Sequence, residues 1–112
     1  RIYVVVHEYE PGKFNNYILI NPRMISNSEE KIYVEGGEGC LSVNREVEGI
    51  VPRFARVTME AYDVDGNLFR VRGREELAVV FQHELDHLNG ILFFDRIDKL
   101  NPFKNSDIYR AI

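Results

Sequence analysis

The sequence predicts an α+β fold in which antiparallel β-sheets pack around one central helix that carries a metal-binding motif. Three features point to it. β-branched and aromatic residues crowd the first third of the chain, Arg56 to Asp63 alternates apolar and polar side chains before an Asp-Gly turn, and Glu75 to Leu88 has the composition of a single helix. With 112 residues and no linker-like stretch, residues 1–112 are expected to form one domain around one core.

In chain order, Ile2 to Glu8 reads as a buried strand closed by a hairpin loop containing Pro11-Gly12 and Asn15-Asn16. Tyr17 to Ile20 resumes strand character, Asn21-Pro22 interrupts it, and Met24 to Ser26 continues along an edge, where proline is tolerated. Lys31 to Val34 is a further short strand. Glu35 to Cys40 packs three glycines into six positions, so the backbone there can approach a ligand closely. Val57, Met59 and Ala61 then face one way and Thr58, Glu60 and Tyr62 the other, as in a half-buried strand. Asp63 to Asn67 turns the chain, Leu68 to Arg72 returns antiparallel, and Gly73 ends the hairpin. Glu75 and Glu76 put negative charge in the first helical turn, and Asn89-Gly90 stops the helix. Ile91 to Phe94 is expected to pin the chain back onto the core, while Asp98 to Ile112 shows no clear period.

Composition narrows the function. Hydrophobic residues at 45% and charged residues at 29% suit an ordinary globular protein, and a formal charge of -4 offers no basic field for gripping phosphates, so nucleic acid is not expected as a substrate. A single cysteine cannot form an internal disulfide, which points to a reducing, cytoplasmic home. No run approaches the roughly 18 to 20 apolar residues that span a bilayer, so no membrane partner is expected. The first residue is Arg1 and the apolar run begins at once, from which an upstream segment is expected.

The chemistry lies in His83-Glu84-Leu85-Asp86-His87. Residues four apart share a helix face, so His83 and His87 present two imidazoles to a common point with Glu84 beside them. In this H-E-x-x-H arrangement the histidines hold a divalent metal and the glutamate acts on water as a general base. A catalytic centre usually has three protein ligands and one open position. Nothing downstream supplies the third, and His7, in an apolar strand, reads as a core or surface histidine. Cys40, on its glycine-rich loop, is the best third ligand.

Glu38-Gly39-Cys40-Leu41-Ser42 together with Gln82-His83-Glu84-Leu85-Asp86-His87-Leu88 resembles two of the three signature motifs of peptide deformylases. Val51-Pro52-Arg53, the Asp65-Gly66 turn and Asn89-Gly90 through Asp95-Arg96 are also similar to that family, and Phe81-Gln82-His83 looks like its Gram-positive-type form. The resemblance implies that Cys40, His83 and His87 bind the metal, ferrous iron first and zinc, nickel or cobalt as substitutes. It implies that Glu84 carries protons while the formyl group is hydrolysed from the N-terminal methionine of new polypeptides, with the ribosome as a possible partner. It assigns the backbone N–H of Leu41 to the oxyanion, and it places Gly39, Val79 and Val80 along the substrate, the two valines beside the methionine side chain. Glu76 falls where the family usually has an apolar residue, and Arg53 and Asp86 read as supporting ion pairs.

The third motif of the family, a glycine-rich segment ending in glutamine, precedes the strand that corresponds to Ile2 to Val6 and is absent from these residues. The chain is thus expected to match the carboxy-terminal two-thirds of the family fold. The alternative expectation is an inactive or weakly active paralogue or fragment that binds formyl-peptides or a partner, and formate release distinguishes the two.

Overall fold

The computed structural model describes residues 1–38 and 48–112. Two sheets flank the helix α1 (Glu76–Leu88). One is four-stranded, in the order β1 (Ile2–Glu10), β2 (Lys13–Asn27), β5 (Arg56–Tyr62), β6 (Leu68–Arg74), with every pair antiparallel. The other is three-stranded, with β3 (Lys31–Tyr33) between β4 (Arg53–Phe54) and β7 (Arg110–Ala111). The β3–β7 pair is parallel, an exception to the antiparallel expectation, and it places the segment that lacked a sequence period.

β1 departs from the buried strand expected. Tyr3 and Val5 are buried, but Ile2, Val4 and Val6 are exposed, Val4 by 58%. A run of β-branched residues reads alike whether one face or both are covered, and here β1 is a sheet edge with one covered face. The hairpin loop is also shorter than expected. Pro11-Gly12 alone makes the turn, with Gly12 at φ 76°, and Asn15 and Asn16 lie in β2 opposite His7 and Val6.

β2 is one long strand that changes partners. Its first half pairs with β1 as far as Ile20, and its second half pairs with β5, with irregular register between Ile20 and Arg23. Pro22, which has no N–H to donate, sits at that irregularity, so no ladder bond is lost.

The β5–β6 hairpin matches the alternation in Val57, Met59 and Ala61, all buried. Asp63 Oδ1 accepts hydrogen bonds from the N–H groups of Asp65 and Asn67, and Gly66 takes φ 82°. Glu60 departs from the pattern. It lies on the outer face yet is 5% exposed, because Arg23 and Arg70 close over it with bonds of 2.5 to 3.1 Å. Those two partners hold its carboxyl below the ordinary value of 4.5.

Gly73 does not end the hairpin. β6 runs to Arg74, and Gly73 pairs with Val57. Its role is to admit the helix: a Cβ there would lie 2.8 Å from Phe81 Cδ2. Phe81 is fully buried among Tyr3, Val5, Leu19, Val57, Met59 and Ala61, burial worth about 2–3 kcal/mol. The opposite side of α1 carries Val79, which packs on Ile32 and Ala55 beside the second sheet. Gln82 joins the helix to β4: Phe54 N–H donates to its Oε1, and its Nε2 donates to the Phe54 carbonyl, each at 2.9 Å. Glu75, just before the helix, holds φ 56°, a conformation costing a non-glycine residue about 1–3 kcal/mol. Its N–H donates to the Ala55 carbonyl, and its carboxylate receives two bonds of 2.7 Å from Arg110.

Gly73→Ala should lower unfolding free energy by about 1–3 kcal/mol in urea titration, whereas Gly36→Ala, with nothing within 4 Å of its Cβ, should change it by much less. Glu60 has a depressed folded pKa, so its stabilisation is complete above 4.5 and fades as pH falls through the folded value. Thermal melts of Glu60→Gln should accordingly show the largest deficit near neutral pH and convergence with the parent chain in acid.

Candidate metal centre

The second half of α1 brings His83, Glu84 and His87 together, with one ligand atom from each residue lying within 4.8 Å of the others. The imidazole rings are 4.6 Å apart between centroids, and His87 Nδ1 is 3.8 Å from Glu84 Oε2. His83 is buried while Glu84 and His87 are half-buried.

Orientation of His83 comes from outside the helix. Its Nδ1 is 2.7 Å from Glu38 Oε1. Arg53 clamps the same carboxylate with two further bonds, Nε to Oε2 at 2.9 Å and Nη2 to Oε1 at 2.8 Å. Arg53 Nη1 also donates to Asp86 Oδ2 at 2.6 Å, and Arg96 donates to both oxygens of Asp86 at 3.1 and 2.7 Å. The result is a chain of alternating charge, Arg96–Asp86–Arg53–Glu38, ending on the imidazole of His83. Arg53 is only 3% exposed.

Burial opposes charge on Glu38, Arg53 and Asp86, yet the hydrogen bonds and opposite charges outweigh it. Glu38, bonded by His83 and Arg53, and Asp86, bonded by Arg96 and Arg53, are held below the usual carboxylate range; Arg53 is pushed up. A Glu38 that stays ionised can only accept, so Nδ1 of His83 is the donor, and the tautomer places the ring's lone pair on Nε2. A carboxylate on the far nitrogen is the usual support of a metal-binding histidine. Two imidazoles and a carboxylate at this spacing, one imidazole so oriented, fit a divalent cation. Phe93, from the 3-10 turn Phe93–Arg96, stacks on the His83 ring at 6.3 Å and gives that side an apolar wall.

A cleft of about 640 Å³ opens beside the group. Val34, Val79, Val80 and Ile112 line it, together with the exposed Glu76. Gly39, Cys40 and Leu41 lie outside the described residues. Asp86 and Arg53, each expected in a supporting ion pair, pair with one another. Glu38 is the residue that sequence reasoning missed as a partner of His83. A histidine pair on a helix signals that some carboxylate should stand behind it, but nothing ranks Glu38 above Glu30 or Glu35 before the chain is folded.

Replacing Arg53 with Met would leave Glu38 and Asp86 buried without their shared cation, so the variant should lose about 3–5 kcal/mol of stability in denaturant titration. Glu38→Gln should weaken binding of Co(II) or Zn(II), followed by equilibrium titration, by about 10- to 100-fold.

The family profile of Polypeptide deformylase matches residues 1–103. Peptide deformylase 2 of Bacillus cereus is 50% identical over 96 residues, covering 86% of this chain and 52% of its own length. Peptide deformylase 2 of Bacillus subtilis is 46% identical over 110 residues, 97% of this chain and 60% of its own. Among solved structures, a plant peptide deformylase superposes with a TM-score of 0.77 at 32% identity, covering 96% of this chain and 56% of that one. The peptide deformylase of Thermus thermophilus does so at 0.75 and 35% identity, covering 89% and 56%. The chain spans about half to three-fifths of the length of these relatives.

Proposed function

The chain belongs to the polypeptide deformylase family, and from that membership we propose that it forms the metal-holding core of a hydrolase that removes the formyl group from the N-terminal methionine of new polypeptides. The observation that carries this reading is the helix-borne His83, Glu84 and His87 group backed by Glu38. We assign His83, His87 and Cys40 as the residues that hold the ion, iron(II) on family grounds with zinc, nickel or cobalt able to take the same donors. When bound, the ion supplies Lewis acidity that makes a water molecule easier to deprotonate and a carbonyl oxygen more electron-poor.

The chain's own residues do the rest. Glu84 takes a proton from the attacking water, whose hydroxyl oxygen bonds to the formyl carbon; as the C–N bond breaks, Glu84 returns the proton to the departing amine, leaving a free methionine amine and formic acid, which gives up its own proton to become formate. The backbone N–H of Leu41 donates to the oxygen that gains charge on the way. Gly39 lets the peptide backbone come close, and Val79 and Val80 give the methionine side chain an apolar floor. A substrate that is still being made argues for a cytoplasmic setting near the ribosome. No helix among the described residues is long and apolar enough to cross a membrane.

Formate release from a formyl-Met peptide by the Ni(II)-loaded chain is expected, and Glu84→Ala should lower it by about two to four powers of ten while metal content is retained. Cys40→Ser should lower metal content itself. Release undiminished in Glu84→Ala would overturn the assignment of the proton carrier, and unchanged metal content in Cys40→Ser the assignment of the third ligand.

A further inference from the structure

Four carboxylates border the cleft beside α1, and three are accounted for. Glu38 is clamped by Arg53, Glu75 is clamped by Arg110 at 2.7 Å through both oxygens, and Glu84 belongs to the His83–His87 group. The fourth is Glu76. It is exposed, lines the cleft, and among the described residues no cationic side chain bonds to it. Its negative charge therefore faces the opening, next to an apolar floor whose low polarisability strengthens the field felt by a bound molecule.

Position sets which part of a substrate would feel that charge. Glu76, Val80 and Glu84 succeed one another at four-residue intervals on one helix face, so Glu76 stands about 12 Å along the axis from Glu84. An extended peptide advances about 3.3–3.6 Å per residue, so a chain whose formyl group is at Glu84 and which runs along the cleft passes Glu76 just beyond its third residue, within reach of a long side chain on the second or third residue.

We propose that Glu76 is a specificity-determining residue that favours formylated peptides with lysine or arginine at the second or third position. This rests on the deformylase reading and adds to it a charge preference. A purely structural role is the competing account, since an acidic residue in a first helical turn stabilises the helix dipole. That role affects stability and binds no particular substrate, so it predicts no dependence on peptide charge.

The test compares formyl-Met-Lys-Ala with formyl-Met-Glu-Ala and formyl-Met-Ala-Lys with formyl-Met-Ala-Glu on the Ni(II)-loaded chain, reading kcat/KM from formate and affinity from calorimetry. The cationic member of at least one pair is expected to be favoured about two- to fivefold at low ionic strength, as suits a solvent-screened pair, and less at high salt. Glu76→Gln should bring the ratio to about one, and Glu76→Lys should invert it. Equal values within both pairs, or a preference unaltered in Glu76→Gln, would overturn the proposal. Cationic preference in affinity with no formate from any peptide would keep the charge selection and overturn the hydrolytic reading alone; neither formate nor binding would overturn both.

Discussion

The buried guanidinium of Arg53 ties the centre to the fold. Among the described residues it is the one side chain that bonds both Glu38, behind His83, and Asp86, on the helix, and it comes from a third element, β4. Taken singly, each ion in this chain would be costly to bury; taken together, two carboxylates and two guanidiniums sum to zero charge and satisfy one another. The arrangement stabilises little beyond what an apolar core of equal volume could. What it contributes is definition: the imidazole of His83 cannot rotate without giving up the bond from its Nδ1 to Glu38, which Arg53 fixes.

Around that core of charge, the helix is positioned by contacts of a different kind on its two sides. Toward the four-stranded sheet the fit is steric, with the Phe81 ring seated over a residue that has no side chain. Toward the smaller sheet it is polar, with the Gln82 amide completing the backbone bonds of Phe54. An apolar contact tolerates sliding along the helix axis, but a pair of amide bonds does not. The register of His83, one residue beyond Gln82, is therefore set chiefly by β4, the same strand that supplies Arg53.

What the sequence made legible follows from the range of the interactions concerned. The helix, the face on which it gathers His83, Glu84 and His87, and the β5–β6 hairpin depend on neighbours within a few residues, and their periods are written locally. Gly73 reads wrongly because a glycine that ends a strand and one that admits a neighbouring ring look the same in one dimension. The outer face of β1 and the covering of Glu60 depend on what lies across the sheet, and β7 depends on a partner far away in the chain. The pairing of Glu38 with His83 is likewise invisible in the sequence, since it is a meeting of a loop and a helix separated by 45 positions. Cys40, the strongest inference from residue chemistry alone, rests on that chemistry still, because it falls outside the described residues.

The parallel pairing of β3 with β7 joins Ile32 to Arg110, and Ile112, like Val34, packs on the Ile32–Ala55–Val79 cluster at the wall of the cleft. Contacts so distant in sequence carry a larger loop-closure cost than local ones. Synthesis runs from the amino to the carboxyl end, so the two histidines leave the ribosome before the strand that completes the cleft. One wall of the cleft, at Ile112, is thus the last of its parts to be made.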